Sequence, residues 1–377
     1  MSTRVTIDNP TERATTIIDS DVHNAVPPDS IDALGPYMSD RWRRYLEYVG
    51  ARSLGEDVLI RARPMTSRSD SWPPNGKTPG EDPDFARSQL LDAYGIHRAI
   101  LNNMSGNWQP FIGGNQPAGL TDALMHALNE WCVGAWLNQD ERWYSSICVP
   151  FEEPEAAAAE IALRRSGPLA DRWVQVLLSV RTEKPIGNQK YWPLLEVAAA
   201  EGLPIVLHPG GRGMNPITGC GWPSYYYEDH VGYPQASFSH LASLIFEGVF
   251  DRFPTLKVVM AEGGYSWAAP FAWRLDSSWR LLRDEVPDLQ KAPSDYVRDH
   301  VWFTTQPIEE PEKPQWFASI YEQMQRAGLG GRLMFASDYP HWDFDGPDTS
   351  PLRALDEDSR HAILAGNASE LYGIPLP

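Results

Sequence analysis

Asp19, Asp21 and His23 occupy alternate positions of Ile17-Ile18-Asp19-Ser20-Asp21-Val22-His23. Side chains two apart in a strand share a face, so this spacing predicts three oxygen or nitrogen donors side by side, half of a metal site. The apolar run leading into them reads as a buried strand with chemistry at its C-terminal end. Candidates for the other half close later apolar runs: His208 after 203–207, Glu262 after 257–260 and Asp338 after 333–336, with His240 and His341 a little beyond. Singly, each has a structural explanation. A strand-end histidine can be hydrogen-bonded, Asp338 can cap a turn, and Glu262 before Gly263-Gly264 can offset a helix dipole. Together they carry more weight, because buried carboxylates gathered without a cation repel one another. The expected metal ligands are Asp21, His23, His208, His240, Glu262 and Asp338. Glu262 is also expected to be catalytic, and His341 to act behind the ligands or as proton donor.

These residues need a scaffold that brings distant strand ends together. Short apolar runs at 16–22, 98–101, 144–149, 173–178, 203–207, 257–260, 301–304 and 333–336 alternate with helical patterns. Alternation of this kind implies parallel βαβ units, and eight of them imply a closed (β/α)8 TIM barrel. An open doubly wound sheet is the rival, but the ends of strands one, five, six and eight converge only when the sheet closes. The predicted organisation is an N-terminal arm over 1–15 and a single barrel domain over 16–377. Within it, the Pro-, Ser-, Arg- and Asp-rich segment 24–82 is a long insertion after strand one, read as a lid or subunit contact.

The 377 residues carry a net charge of −18, which argues against non-specific binding of nucleic acid or anionic membrane. No run of ~18 apolar residues offers a membrane span, and the first residues lack an apolar signal core. Cys132, Cys148 and Cys220 have no CxxC spacing, so a reducing, cytoplasmic setting is expected. Aromatic residues at 222 and 225–227 suit a sizeable apolar guest or a subunit contact, and Arg212 or Arg274 could clamp a carboxylate.

Four segments together resemble the amidohydrolase superfamily, in the branch of aminocarboxymuconate-semialdehyde decarboxylase: Asp19-Ser20-Asp21-Val22-His23, Leu207-His208-Pro209-Gly210-Gly211, the run from Phe250 to Val259, and Ser337-Asp338-Tyr339-Pro340-His341. The resemblance spans about residues 16–373 and implies a distorted (β/α)8 barrel and a homodimer. It also implies ligands after strands one, five, six and eight, which fall on Asp21, His23, His208, Glu262 and Asp338. The chain departs from the family pattern twice. Asp21 replaces the first histidine of the strand-one pair, and Glu262 replaces the strand-six histidine that often serves as acid or base.

Three readings follow. A carboxylate-rich site with histidines suits Fe or Mn, and carboxylates can bridge two metals. The family includes a non-haem di-iron monooxygenase of platensimycin-type biosynthesis, whose pattern this chain resembles. That reading implies two Fe, an electron donor, and hydroxylation of an apolar organic acid or its thioester. The alternative is a hydrolase or non-oxidative decarboxylase of a small carboxylate with one Zn or Mn on Asp21, His23, His208 and Asp338. The third is a barrel that binds a ligand or partner without chemistry.

Overall fold

A computed structural model describes residues 16–52, 66–103, 105, 117–210 and 215–377. Eight parallel strands pair in sequential order. They are β1 (Ile18–Val22), β2 (Arg98–Leu101), β3 (Trp143–Cys148), β4 (Trp173–Ser179), β5 (Ile205–His208), β6 (Val258–Met260), β7 (Val301–Thr304) and β8 (Leu333–Met334). The strand-end donors thus lie on one rim, as the (β/α)8 reading required. β8 is shorter than expected, because only two of its residues ladder onto β7. The chain beyond them turns to β1 and closes the ring. Ser20 N–H donates to Phe335 O at 3.0 Å, Asp338 N–H to Asp21 O at 3.0 Å and His23 N–H to Tyr339 O at 2.7 Å. Closure therefore runs through the candidate site itself.

The strands are buried on both faces, as expected of a sheet sandwiched between a filled interior and a ring of helices. The helices include Leu120–Cys132, Pro154–Ser166, Trp192–Ala200, Tyr233–Phe246, Ala268–Leu282 and Pro314–Arg326. Val, Ile and Leu of the strands join the buried helix residues in one core. Barrel interiors are usually filled by branched apolar residues. Here buried Asp19, Ser146 and Gln175 contribute polar side chains from β1, β3 and β4, and Asn102 from just past β2.

Elements that the apolar pattern did not announce include the helix Pro293–His300 before β7 and the short helix Tyr226–His230 in the loop after β5. In the insertion, the helix Asp40–Tyr48 buries Trp42 and Leu46. Thr66 to Arg68 run beside the 340–342 segment: Arg68 N–H donates to Pro340 O at 2.9 Å and Trp342 N–H to Thr66 O at 2.8 Å. That part of the insertion lies on the rim next to His341. Among the described residues, no helix is long and apolar enough to cross a membrane.

Candidate metal centre

Six side chains meet at the C-terminal ends of the strands. One ligand atom each from Asp21, His23, His208 and Glu262 lie within 4.8 Å of one another, and so do those of His23, Glu262, Asp338 and His341. The two quartets share His23 and Glu262. His23 Nε2 stands 2.9 Å from Asp338 Oδ1, 3.4 Å from Asp21 Oδ1 and 3.5 Å from Glu262 Oε1. His208 Nε2 lies 3.0 Å from Asp21 Oδ2 and 2.9 Å from Glu262 Oε1. His341 Nδ1 reaches Asp338 Oδ1 at 2.5 Å.

Backbone geometry aims these groups. Glu262 and Asp338 take left-handed conformations with φ of 47° and 58°. Such conformations are uncommon for residues other than glycine and carry strain of order 1 kcal/mol. The reversal turns each carboxylate at the point where its strand has ended. Gly263, next to Glu262, lets the helix Tyr233–Phe246 approach, since a Cβ there would fall 2.2 Å from Ser237 Oγ.

The histidine tautomers are set by what lies behind them. His23 Nδ1–H donates to Asn102 O at 2.8 Å, and His208 Nδ1–H to Pro209 O at 2.6 Å. This leaves Nε2 of each ring as the ligand atom. A cation fits here on an observation of the site itself: His23 Nε2 and Glu262 Oε1 are buried without a well-formed hydrogen bond, although a buried polar atom normally has one. Imidazole and carboxylate together suit Mn, Zn or Fe.

The electrostatics of the metal-free protein follow from the same crowding. Burial alone would lower the pKa of His23, but the charge of Asp21 and the close approach of the Asp338 and Glu262 carboxylates outweigh it and raise the pKa to about 10. His208 is likewise raised against the effect of burial, by Glu262 and Asp21. Burial pushes Glu262 and Asp21 upward, yet the two imidazoles hold both below the usual carboxylate range. Asp338 is pushed well up, by burial first and then by the charge of Glu262.

Five of the six expected ligands belong to this cluster, and His341 stands in it too. His240 does not, and its assignment as a ligand is corrected. Both of its ring nitrogens are occupied by backbone, Nε2 donating to Val180 O at 2.8 Å and Nδ1 accepting from Ile186 N–H at 3.2 Å. It is a buried clasp between the helix Tyr233–Phe246 and the loop after β4. Asp19 also lies outside the donor set. Its Oδ1 accepts from Ser337 N–H at 2.9 Å and Asp21 N–H at 3.2 Å, and burial raises its pKa to about 7. The pairing of β1 with β2 is irregular between Asp19 and Val22, so strict alternation did not hold. Arg274 is exposed, and Arg212 lies outside the described residues. In the aromatic loop, Tyr225 and Tyr227 are 74% and 71% exposed.

The sequence reading missed Asn102 and Gln306. Asn102 Nδ2 donates to Asp21 Oδ1 at 2.7 Å. Gln306 Nε2 donates to Asp338 Oδ2 at 3.0 Å and to Asp343 Oδ2 at 3.1 Å, and Asp343 Oδ2 also meets His230 Nε2 at 3.0 Å. Their position just past the ends of β2 and β7 was the available signal.

A (β/α)8 barrel with histidines and carboxylates at the strand ends is the arrangement of a metal-dependent hydrolase-type enzyme. The family profile described as Amidohydrolase matches residues 20–374, and the chain belongs to that family. Gamma-resorcylate decarboxylase of Polaromonas sp. (strain JS666 / ATCC BAA-500) is 23% identical over 304 residues, covering 76% of this chain and 86% of the relative. Among solved structures, dihydroxybenzoic acid decarboxylase from Polaromonas sp. JS666, with bound manganese and the inhibitor 2-nitroresorcinol, aligns with a TM-score of 0.63. It has 19% identity and covers 96% of this chain and 98% of its own. 5-Carboxyvanillate decarboxylase from Novosphingobium aromaticivorans DSM 12444, complexed with manganese and 4-hydroxy-3-methoxy-5-nitrobenzoic acid, aligns with a TM-score of 0.67. There the identity is 18% and the coverage 96% and 97%. These relatives are decarboxylases, and the two structures hold manganese. They match the alternative reading of the sequence and lend nothing to two Fe, a monooxygenase, a thioester or an electron donor.

Proposed function

We propose that this protein is a metal-dependent, non-oxidative decarboxylase of a small aromatic or related carboxylic acid. The observation that carries the reading is the convergence of Asp21, His23, His208, Glu262 and Asp338 in one buried cluster, with His23 Nε2 and Glu262 Oε1 buried and making no well-formed hydrogen bond. Asp21, His23, His208 and Asp338 would hold one Mn or Zn ion. Such an ion supplies Lewis-acid charge that draws a carboxylate in and steadies negative charge developing on its neighbour.

The chain's own groups supply the rest. The carbon–carboxylate bond breaks, its electron pair stays on the substrate carbon, carbon dioxide leaves, and that carbon takes one proton. His341 Nδ1 stands 2.5 Å from Asp338 Oδ1; His341 is the proton donor in this reading and Asp338 the carboxylate that orients it. Gln306, bonded to Asp338 Oδ2, keeps that carboxylate turned toward His341. Glu262 orients the substrate in this reading. Donors, burial and proton sources are thus provided without an external reductant.

One observation favours a second reading. The donors split into two quartets sharing His23 and Glu262, a division suited to two metals with a bridging carboxylate, as in a di-iron oxygenase. A single pair of measurements separates the two. Metal content per chain is determined on protein prepared without chelators. The same protein is then incubated with a panel of hydroxybenzoates, following carbon dioxide release and oxygen uptake. One Mn or Zn with carbon dioxide release, lost on chelation, supports the decarboxylase. Two Fe with substrate-dependent oxygen uptake would overturn it in favour of the oxygenase. No metal and neither activity would overturn both.

A further inference from the structure

Behind the metal centre, a line of polar side chains, buried up to the partly buried Tyr372, crosses the barrel to its last helix, Asn367–Tyr372. Tyr372 O–H donates to Gln175 Oε1 at 2.8 Å. Gln175 Nε2 donates to Asn102 Oδ1 at 3.1 Å and to Ser146 Oγ at 2.9 Å. The Ser146 hydroxyl donates to Asn102 Oδ1 as well. Asn102 Nδ2 then donates to Asp21 Oδ1 at 2.7 Å, and Asn102 O accepts from His23 Nδ1–H at 2.8 Å.

The orientation of every amide in this line is dictated by its end. The Asp21 carboxylate only accepts, so Asn102 must turn its NH2 toward it and its Oδ1 away. Asn102 Oδ1 then requires the NH2 of Gln175, and Gln175 Oε1 requires the O–H of Tyr372. Burial, followed by the charge of Asp21, raises the pKa of Tyr372, so its hydroxyl keeps the proton the line needs. All the donors point the same way, toward the anion, and bonds aligned like this polarise one another.

We propose that Tyr372, Gln175 and Asn102 form a donor relay that sets metal affinity from the far side of the barrel. It holds Asp21 as an oriented anion for the metal it would ligate, while the backbone carbonyl of Asn102 keeps His23 in the tautomer that turns Nε2 to the site. These are positioning residues that touch neither metal nor substrate. Branched apolar side chains at 102, 146 and 175 would fill the barrel equally well, so packing alone does not account for them.

This inference rests on the metal-dependent reading, and the test separates the two. Mn2+ affinity is measured by competition with a chromophoric chelator on wild type, Asn102→Ala, Gln175→Met and Tyr372→Phe, and thermal unfolding is recorded for each metal-free protein. Loss of an outer-shell partner commonly costs 10–100-fold in metal affinity, so Asn102→Ala is expected to weaken Mn2+ binding by about 10–100-fold. Tyr372→Phe removes one O–H and no packing volume. Its expected effect is about 2–5-fold, smaller because it is transmitted through two amides, with Gln175→Met between the two. Unchanged Mn2+ affinity in both Gln175→Met and Tyr372→Phe, whatever happens to metal-free stability, overturns the relay. If Asn102→Ala does not fold, those two variants decide alone. Wild-type protein that binds no Mn2+, Zn2+ or Fe2+ would instead bring down the metal reading itself.

Discussion

Binding of a divalent metal should expel protons, and the structure says from where. In the metal-free protein His23 has a pKa of about 10 and His208 is also raised well above the usual imidazole range. At about pH 7.5 His23 is therefore imidazolium, and His208 is shifted in the same direction. Each already donates Nδ1–H to a carbonyl, Asn102 O or Pro209 O, so each must lose its Nε2 proton to become a ligand. That gives one proton from each histidine. Asp338, pushed upward by burial and Glu262, supplies a third if it ligates as the anion. Each released proton changes the binding free energy by about 1.4 kcal/mol per pH unit. Two or three together correspond to about 3–4 kcal/mol, a roughly 100- to 1,000-fold loss of affinity for each unit the pH falls. The dependence should flatten as pH rises past the His23 value. Titrating Mn2+ into metal-free protein by calorimetry, in two buffers of different ionisation heat, counts the protons directly. Fewer than one proton released, or an affinity constant between about pH 6 and pH 8, would refute the assignment of His23 and His208. The His23→Gln variant should release one proton fewer.

Two other outcomes follow from particular groups. His240→Ala should leave metal content unchanged while destabilising the protein by about 1–3 kcal/mol, since Val180 O and Ile186 N–H lose their buried partner. Metal analysis beside thermal melts checks this, and a loss of metal would restore His240 to the site. Asp345 has its pKa raised from 3.8 to about 7, chiefly by burial, although its Oδ2 accepts from Ile308 N–H at 2.8 Å. Between those two values the folded chain holds a proton the unfolded chain has released, so this group's contribution to stability falls as pH rises from about 4 to about 7. Asp345→Asn should therefore raise the melting temperature at pH 8 more than at pH 4. Equal shifts at both pH values would show that Asp345 does not titrate in this way.

Much of this arrangement was legible in the chain. Apolar runs alternating with helical patterns prescribe parallel strands, because each run must be covered on both faces. The ends of those runs carry Asp21, His23, His208, Glu262 and Asp338. Residue types and their places along the strands thus gave the barrel and most of the donor set. Other features depended on through-space relations that spacing does not encode. His240 sits on a helix of the right loop, yet its ring turns to Val180 and Ile186, because the direction of a helical side chain depends on how its helix packs. Asp19 has the alternation expected of a ligand, but an irregular register with β2 and the backbone N–H of Ser337 claim it instead. Asn102, Gln175 and Tyr372 are unremarkable in sequence and lie up to 270 positions apart, so only closure of the barrel makes them one hydrogen-bonded line. The strand-end chemistry was written locally. The partners that orient it are set by which strands become neighbours, and that is decided by the folded chain as a whole.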